Sequence, residues 1–323
     1  MNENFLISIV VITYNKLDYL KSVLTNLRFH VRLKNVEIIV VNDGSTDDTR
    51  SFLKNNKEKL NFEYVNIEHS GSAKARNTGI NLSKGDYILF IDNDIIIDAS
   101  YIEKLRESIL LYPDRIHAGN LKLVPLENVP EFMNIISQPD YSTIRCFLEQ
   151  YSYKDAISDS LSTAYSQKDD INLACWWAMA GGGNICFPKK VLYEIELFDE
   201  NFKSWGPEDT ELCYRAFTKG YYLKYNSNSL LYHLEHPRNI TALKESMVKN
   251  ISLLYKKYKT EDILAFLNFF NGMISLDELN KVCIKVHQLK ELVNLKNYHI
   301  SLGYYINKNQ VIKWGKDGTN SKV

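Results

Sequence analysis

Two aspartates at the end of an apolar run are the first residues in this sequence whose types and spacing suggest chemistry. The stretch Tyr87–Asp98 reads YILFIDNDIIID, so apolar residues flank the polar triplet Asp92-Asn93-Asp94 on both sides. Burying carboxylates in such surroundings costs free energy unless a partner compensates for the lost hydration. Asp92 and Asp94 have the spacing to chelate Mg²⁺ or Mn²⁺, with diphosphate oxygens completing the shell. The alternative is an ordinary acidic turn.

A second pair of carboxylates lies in the segment SWGPEDTEL, where Glu208 and Asp209 follow Trp205 and Pro207. One of the two carboxylates could take a proton from a hydroxyl group as a general base, while Trp205 stacks on the face of a sugar. Proline followed by acidic residues is also typical of the first turn of a helix. The segment therefore has both a catalytic and a structural interpretation.

Two histidines in the segment YHLEHP, His233 and His236, follow a short predicted strand. A neutral imidazole at either position could be a metal ligand. A single histidine is more often a structural hydrogen-bonding group, and the spacing does not choose between the two.

Two further segments carry candidate ligands for a nucleotide. In NDGSTDD, Asp43 could accept the imide N–H of a uracil, and Gly44 permits a tight turn, although Ser, Thr and Asp there could also cap a helix. In AKARNTGI, Lys74 and Arg76 lie near the start of a predicted helix and could reach a phosphate. A solvated cationic turn is the alternative for the second segment.

The elements that must position these residues alternate along the first hundred residues. Short β-branched or apolar runs at Leu6–Ile12, Val36–Val41 and Tyr87–Ile91, together with FEYVNI, predict four strands, and the segments between them have helical periodicity. Strands separated by helices of this length predict βαβ units and a parallel sheet.

Polar clusters follow three of the predicted strands, at Thr13-Tyr14-Asn15, at 42–45 and at 92–94. Ligands of open α/β sheets bind beyond the carboxyl ends of the strands. We therefore expect one shared ligand site. The equivalent turn of a dehydrogenase would carry glycines, which TYNKLDY lacks.

The rest of the chain is less regular. Residues 101–175 read as a loop-rich excursion, whereas residues after 240 regain helical periodicity. We place a boundary near residue 240. Residues 1–240 then form one domain, with a nucleotide-binding half at 1–100 and an acceptor and catalytic half at 101–240, and residues 241–323 form a mainly helical extension.

Composition limits the partners. The 323 residues carry zero formal net charge, which argues against strong nonspecific attraction to nucleic acid. The segment 241–323 is basic, with 13 Lys and seven Asp or Glu, and is either a solvated helical face or a contact for an acidic partner or a membrane surface. No run is apolar and long enough to span a bilayer, and the N-terminus does not resemble a signal peptide. Five scattered cysteines without a C-x-x-C pair favour the cytoplasm, with the inner face of the membrane as an alternative location.

Four segments together resemble the family 2 glycosyltransferases of GT-A fold. They are SIVVITYNKLDYLKSVL, EIIVVNDGSTDDT, AKARNTGINLSKGDYILFIDNDI and GGGNICFPKKVLYEIELFDENFKSWGPEDTEL, in that order within residues 6–240. The last segment is also similar to galactosyl- and N-acetylgalactosaminyltransferases, including bacterial chondroitin-type polymerases. The resemblance implies an α/β fold with a Rossmann-like, mostly parallel central sheet flanked by helices, and a UDP-sugar donor.

The resemblance also implies roles for individual residues. Asp209 matches the catalytic base, with Glu208 orienting sugar or acceptor; Asp94 would ligate Mn²⁺ or Mg²⁺, with His233 completing the metal shell. Thr13, Tyr14 and Asp43 would hold the uridine, and Asp92 the ribose or the metal. The complete predicted donor site comprises Thr13, Tyr14, Asn15, Asp43, Arg76, Asp92, Asn93 and Trp205.

The implied activity is inverting, metal-dependent transfer of a sugar from a UDP-sugar to a hydroxyl group of a glycan, glycolipid or glycopeptide. The alternative is a catalytically silent, glycosyltransferase-like binding or scaffold subunit that docks through residues 241–323. Gal, GalNAc, Glc and GlcNAc differ by one stereocentre or one acetamide, and the sequence does not choose among them.

Overall fold

A mixed β-sheet with helices packed against it forms the centre of the protein. The computed structural model describes residues 4–30, 35–136, 141–165, 173–237 and 239–288. The strands in these ranges are β1 (Ile7–Thr13), β2 (Val36–Asp43), β3 (Glu63–Ile67), β4 (Tyr87–Asp92), β5 (Ile95–Ile97), β6 (Ile116–Val124), β7 (Tyr153–Lys154), β8 (Asn184–Pro188) and β9 (Leu223–Leu234). The helices are α1 (Leu17–His30), α2 (Thr49–Leu60), α3 (Ser72–Leu82), α4 (Tyr101–Leu111), α5 (Val129–Ile136), α6 (Tyr141–Tyr151), α7 (Ala156–Tyr165), α8 (Lys189–Glu194), α9 (Glu208–Thr218), α10 (Ile240–Tyr258), α11 (Glu261–Phe270) and α12 (Leu276–Val286).

The first four strands are parallel and lie in the order β3-β2-β1-β4. The nearly continuous apolar runs of β1, β2 and β4 are buried, as is typical of a parallel sheet with helices on both faces, whereas β3 at the edge is only partly buried. The register pairs Thr13 with Asn42 and Ile12 with Asp92, so the polar residues that follow β1, β2 and β4 lie at one edge. The predicted βαβ units and the shared edge are confirmed.

The second half of the sheet is mixed, which corrects the expectation of a mostly parallel sheet. Strand β8 runs antiparallel to β4 and to β6, whereas β6 and β9 are parallel, and the short β5 is antiparallel to β9. In the first hundred residues a crossover helix follows each of β1, β2 and β3, so the first four strands run in the same direction as one another. The predicted α/β class holds.

The expectation that residues 101–175 are loop-rich is wrong for the residues that the structure describes there. They contain β6, β7 and the helices α4 to α7. Helix α5 is only eight residues long and has Pro130 in its first turn, which makes its periodicity hard to recognise. Its buried residues, Val129, Phe132 and Ile136, nevertheless have helical spacing.

The helices predicted after residue 240 are present as α10, α11 and α12, whereas residues 289–323 lie outside the described ranges. These helices do not stand apart from the rest of the chain. They contribute Leu254, Phe266, Phe269 and Leu279 to the same buried cluster that contains Trp176, Trp177 and Tyr214. The division into domains at residue 240 stays a prediction. No helix in the described ranges has the length and apolar character needed to cross a membrane.

Helix α3 lies very close to β1 because Gly79 faces Val10. A Cβ atom on Gly79 would lie 2.3 Å from Val10 Cγ1, which is shorter than any van der Waals contact. Val10 is itself buried, and a β-branched side chain has few alternative rotamers. The glycine therefore determines how closely α3, which carries Arg76, approaches the sheet.

We predict that Gly79→Ala lowers the free energy of unfolding by about 1–3 kcal/mol, because the added methyl group overpacks the contact with Val10. The effect should exceed the gain of about 1 kcal/mol that alanine brings to a helix. Chemical denaturation measures the difference, with the partly exposed Thr78→Ala as the control, expected within about 0.5 kcal/mol of the unchanged protein. A Gly79→Ala protein of equal or greater stability would contradict this packing.

Candidate active site

A cavity of about 850 Å³ opens at the carboxyl ends of β1, β2 and β4. It is lined by residues from both ends of the chain, including the α10 and α11 helices. Among the predicted site residues, those that line it are Thr13, Tyr14, Asp43, Arg76, Asp92, Asn93, Asp94, Trp205, Glu208, Asp209 and His233. The structure thus brings together residues that are up to 220 positions apart in the sequence, as in the pair Lys16 and His236.

Asn15 differs from the other predicted site residues, because it is not among those that line the cavity. Its backbone is left-handed, with φ of 49°, and its side-chain oxygen accepts a hydrogen bond from the N–H of Thr46 at 2.7 Å. Its own N–H donates to Ser45 Oγ at 3.0 Å. Asn15 therefore fastens the turn after β1 to the turn after β2, and a contact with the donor stays a prediction.

One side of the cavity has an aromatic surface next to a carboxylate. The rings of Tyr14 and His69 are stacked, with centroids 4.0 Å apart and an angle of 18° between their planes. His69 Nδ1 lies 2.9 Å from Asp43 Oδ2, and Asp43 also accepts the N–H groups of Ser70 at 2.8 Å and Gly71 at 3.0 Å. A planar base with N–H donors fits beside such a surface. Sequence reasoning missed His69, because an isolated histidine in a loop has no pattern around it.

The ends of β1 and β4 are joined by a hydrogen bond between two predicted site residues. Asn93 Nδ2 donates to Thr13 Oγ1 at 2.9 Å, and both side chains are buried. The bond holds the polar triplet after β4 against the turn after β1.

A buried arginine connects the two pairs of carboxylates. Arg76 Nη2 donates to Asp92 Oδ1 at 2.9 Å, and Arg76 Nη1 donates to Glu208 Oε1 at 2.8 Å. Burial alone would lower the pKa of Arg76, but the charges of Asp92 and Glu208 outweigh it and raise the pKa above its usual value. The guanidinium is therefore engaged with protein carboxylates. Lys74, the other candidate phosphate contact, pairs with Glu200 at 3.2 Å and is not among the lining residues.

Two glycines before β8 let the backbone pass directly over this arginine. A Cβ atom on Gly182 would lie 2.7 Å from Arg76 Nη2, and one on Gly183 would lie 2.7 Å from Asp92 Oδ2. The only sequence signal for this approach is the run Gly181-Gly182-Gly183 itself.

Glu208 is the first residue of α9, and its two side-chain oxygens differ in their hydrogen bonding. Its Oε1 accepts from Arg76 and from Ser72 Oγ at 2.7 Å. Its Oε2 is buried and has no hydrogen-bond partner among the residues that the structure describes. Buried carboxylate oxygens are nearly always hydrogen-bonded, so this atom at the cavity wall fits a hydroxyl group of a ligand or a water molecule.

Asp209 lies beside Glu208 and is held by backbone groups. Its Oδ2 accepts the N–H of Gly182 at 2.7 Å, and its Oδ1 accepts the N–H of Thr210 at 2.7 Å. Burial, followed by the negative charge of Glu208, raises the pKa of Asp209 to about 6, although Arg76 and these hydrogen bonds oppose the shift. A carboxylate with a pKa close to the working pH is well suited to general base catalysis.

Asp94 is the centre of a group that fits a divalent cation. One oxygen of Asp94 and one ring nitrogen each from His233 and His236 lie within 4.8 Å of one another. His233 is placed by the pairing of β9 with β5, which sets it opposite Ile95. One carboxylate and two imidazoles suit Mn²⁺ better than Mg²⁺, which prefers oxygen ligands. The structure brings both histidines to this place, so it does not choose between them.

Lys16 also contacts this group and was not recognised from the sequence. Its Nζ donates to Asp94 Oδ2 at 2.8 Å and to His236 Nε2 at 2.7 Å. Burial acts to raise the pKa of Asp94, but His233, His236 and Lys16 hold it well below its usual range. Asp92, by contrast, has a raised pKa, because burial and the charge of Asp94 outweigh Arg76. Asp94 is thus the carboxylate that is already adapted to cations.

Comparison with known proteins agrees with this geometry. A family model described as glycosyl transferase family 2 matches residues 8–166, and one described as the N-terminal domain of galactosyltransferase matches residues 164–237. The chain is 27% identical over 272 residues to the chondroitin synthase of Pasteurella multocida (strain Pm70). That match covers 80% of this chain and only 28% of the synthase.

Two solved structures have a similar fold. Residues 1–349 of S. aureus TarS, in complex with UDP-GlcNAc, give a TM-score of 0.57 at 19% identity, over 81% of this chain and 72% of that one. GalNAc-T7 with UDP, GalNAc and Mn²⁺ gives a TM-score of 0.59 at 13% identity, over 90% of this chain and 56% of that one.

We predict that Arg76→Met lowers the free energy of unfolding by about 3 kcal/mol, because it leaves Glu208 buried without its cation and Asp92 without its partner. The matched control is Lys74→Met in the same helix, which removes an exposed ion pair worth at most about 1 kcal/mol. Urea titration of the two variants measures both values. Equal stabilities of the two variants would contradict the structural role of Arg76.

Proposed function

We propose that the chain is a family 2 glycosyltransferase, in agreement with the family model that matches residues 8–166, and that it transfers a sugar from a UDP-sugar to a hydroxyl group of a glycan or glycoconjugate. The observation that carries the proposal is the pair Glu208 and Asp209 in the same cavity as the Asp94 group. One end of the cavity then binds a nucleoside diphosphate, and the other end activates the acceptor hydroxyl that attacks the sugar. Transfer by direct attack of an acceptor inverts the anomeric carbon.

The donor side is supported by the chemistry of the cavity wall. The stacked rings of Tyr14 and His69 offer a surface for a pyrimidine, and Asp43 lies next to it as an acceptor for the imide N–H. The GalNAc-T7 structure contains UDP, and the TarS structure contains UDP-GlcNAc. We therefore propose a UDP-sugar as the donor.

The metal side rests on Asp94 with His233 or His236. This donor set fits Mn²⁺, which the GalNAc-T7 structure also contains. A bound divalent cation supplies positive charge that neutralises the diphosphate leaving group. Lys16 donates a hydrogen bond to Asp94 Oδ2, which is one of the oxygens available to a cation. The ammonium group of Lys16 therefore has to move aside or turn towards the phosphates when a cation binds.

The acceptor side rests on Asp209. We propose that Asp209 takes the proton of the acceptor hydroxyl while the hydroxyl oxygen forms a bond to C1 of the sugar. The bond from C1 to the diphosphate oxygen breaks, and its electron pair leaves with UDP. The N–H groups of Gly182 and Thr210 fix the carboxylate, and the free Oε2 of Glu208 is available to a hydroxyl group of sugar or acceptor.

For the acceptor we propose only a class, a glycan or glycoconjugate, because the chain spans little more than a quarter of the length of the chondroitin synthase that it matches. Chondroitin oligosaccharides are therefore the first acceptors to test. We also propose a location in the cytoplasm or at the inner face of a membrane. No contact in the described residues favours the alternative of a silent scaffold, since the carboxylates that transfer requires all line the cavity.

We predict that Asp209→Asn reduces transfer by about 100-fold or more while UDP affinity stays the same, because only the base is lost. Release of UDP from UDP-Glc, UDP-GlcNAc, UDP-Gal and UDP-GalNAc, with Mn²⁺ and chondroitin oligosaccharides, measures transfer, and calorimetry measures binding. In the unchanged protein, kcat/KM should fall as the pH drops below about 6, since the base is then protonated.

Exposed Asp114→Asn is the control and should match the unchanged protein in both assays. Full transfer by Asp209→Asn, or a kcat/KM that rises as the pH drops below 6, would rule out Asp209 as the base.

We predict that Asp94→Ala abolishes the increase in UDP affinity that Mn²⁺ produces, because the cation loses its carboxylate ligand. His233→Ala and His236→Ala, measured in the same calorimetric titrations, should show which imidazole is the ligand through the larger loss of Mn²⁺ dependence. Asp114→Ala serves as the control for an exposed carboxylate. An unchanged Mn²⁺ dependence in Asp94→Ala would exclude Asp94 from the metal site.

A further inference from the structure

The loop Ser204–Pro207 leads directly into the two carboxylates at the start of α9. The residues that hold this loop lie outside the ranges that the family models match. These models end at residue 237, whereas the side chains that bind the loop come from α10. Trp205 lines the cavity and is 40% exposed.

Two polar residues of α10 hydrogen-bond the backbone of this loop. Asn250, which is 1% exposed, donates through Nδ2 to the carbonyl oxygens of Ser204 at 2.9 Å and of Gly206. Ser246 Oγ donates to the carbonyl oxygen of Trp205 at 2.7 Å. Three successive carbonyl groups of the loop thus point at one face of α10, and Asn250 and Ser246 together are called the α10 latch below.

The helix packs closely against the loop between these hydrogen bonds. Gly206 has φ of +58°, a conformation that favours glycine, and a Cβ atom there would lie 2.9 Å from Met247 Cε. The loop is therefore in van der Waals contact with α10 as well as hydrogen-bonded to it.

The far end of α10 is fastened to α9 itself. Lys257 Nζ donates to Glu211 Oε1 at 2.8 Å, and the hydroxyl of Tyr258 donates to the same oxygen. Glu211 is fully buried in α9, two residues after Asp209. Helix α10 thus fixes both the loop before the carboxylates and the helix that carries them.

We propose that Asn250 and Ser246 are positioning residues, which hold Trp205 and the start of α9 in the geometry that sugar transfer requires. They act through the backbone of the loop. Water can replace the lost donors at the carbonyl groups, so removal of the latch is expected to loosen the loop rather than unfold the protein. A loosened loop misplaces the base and the aromatic surface, and a small misplacement costs about 100-fold in rate in well-oriented reactions.

The kinetic part of this inference rests on the proposed function. The test therefore includes a second measurement that does not depend on activity. The protein is labelled with 5-fluorotryptophan and observed by ¹⁹F NMR, and the resonance of Trp205 among the four tryptophans is assigned with Trp205→Phe. Asn250→Ala and Ser246→Ala should broaden or shift this resonance. Ser252→Ala, which removes an exposed hydroxyl bonded to Val248 within α10, is the matched control and should leave it unchanged.

The kinetic arm measures kcat and KM for the UDP-sugar, with UDP affinity from calorimetry. Both latch variants should lower kcat by about 10-fold to 100-fold with little change in UDP affinity, because the nucleotide residues lie on other elements. Ser246→Thr keeps the hydroxyl donor and should restore kcat and the Trp205 resonance. A general loss of stability would not be restored in this way.

The proposal is overturned if the Trp205 resonance and kcat of the latch variants match those of the unchanged protein, or if the resonance changes while kcat does not. If Asn250→Ala fails to fold, the pair Ser246→Ala and Ser246→Thr decides the question alone. If the unchanged protein shows no transfer with any UDP-sugar, the proposed function fails, and the ¹⁹F arm still decides whether α10 positions the loop.

Discussion

The ion pairs of Arg76 are the interaction on which the rest of the site depends. A buried guanidinium is stable only with carboxylates around it, and Arg76 has one from the end of β4 and one from the start of α9. These two contacts fix the distance between the end of β4 and the helix that carries the proposed base. The same ion pair requires glycine at positions 182 and 183, because a Cβ atom on Gly182 would collide with Arg76 and one on Gly183 would collide with Asp92.

The carboxylates of the site differ in pKa because their immediate neighbours differ. Asp94 lies among Lys16 and two histidines and has a pKa well below its usual range, whereas Asp209 has a pKa raised to about 6. Neighbouring groups with pKa values pushed in opposite directions are typical of sites in which one carboxylate holds a cation and another moves a proton. Helix α9, which carries Asp209, packs in an apolar cluster that it shares with α10 to α12.

Much of this arrangement could be predicted from the sequence, for physical reasons. Parallel strands end at one edge, so the polar residues after β1, β2 and β4 had to meet. The ordered segments predicted the α/β fold and the family whose model matches residues 8–166. Asn15 shows the limit, since its neighbours in sequence line the cavity and it does not. Contacts made only by folding gave no local signal: Lys16 to Asp94, His69 beneath Tyr14, and Asn250 behind the loop of Trp205. The mixed half of the sheet was missed because the pattern of a strand does not show the direction of its neighbours, and helix α5 was missed because a short helix carries little periodicity.

The central claim is that the acidic edge of the sheet, with Asp94 at its centre, binds a uridine diphosphate together with a divalent cation. Calorimetric titration of UDP with and without Mn²⁺, with GDP and ADP as controls, tests it most directly. The account predicts that UDP binds in preference to the other nucleotides and that Mn²⁺ strengthens its binding. Absence of binding by all three nucleotides, with and without Mn²⁺, would contradict it.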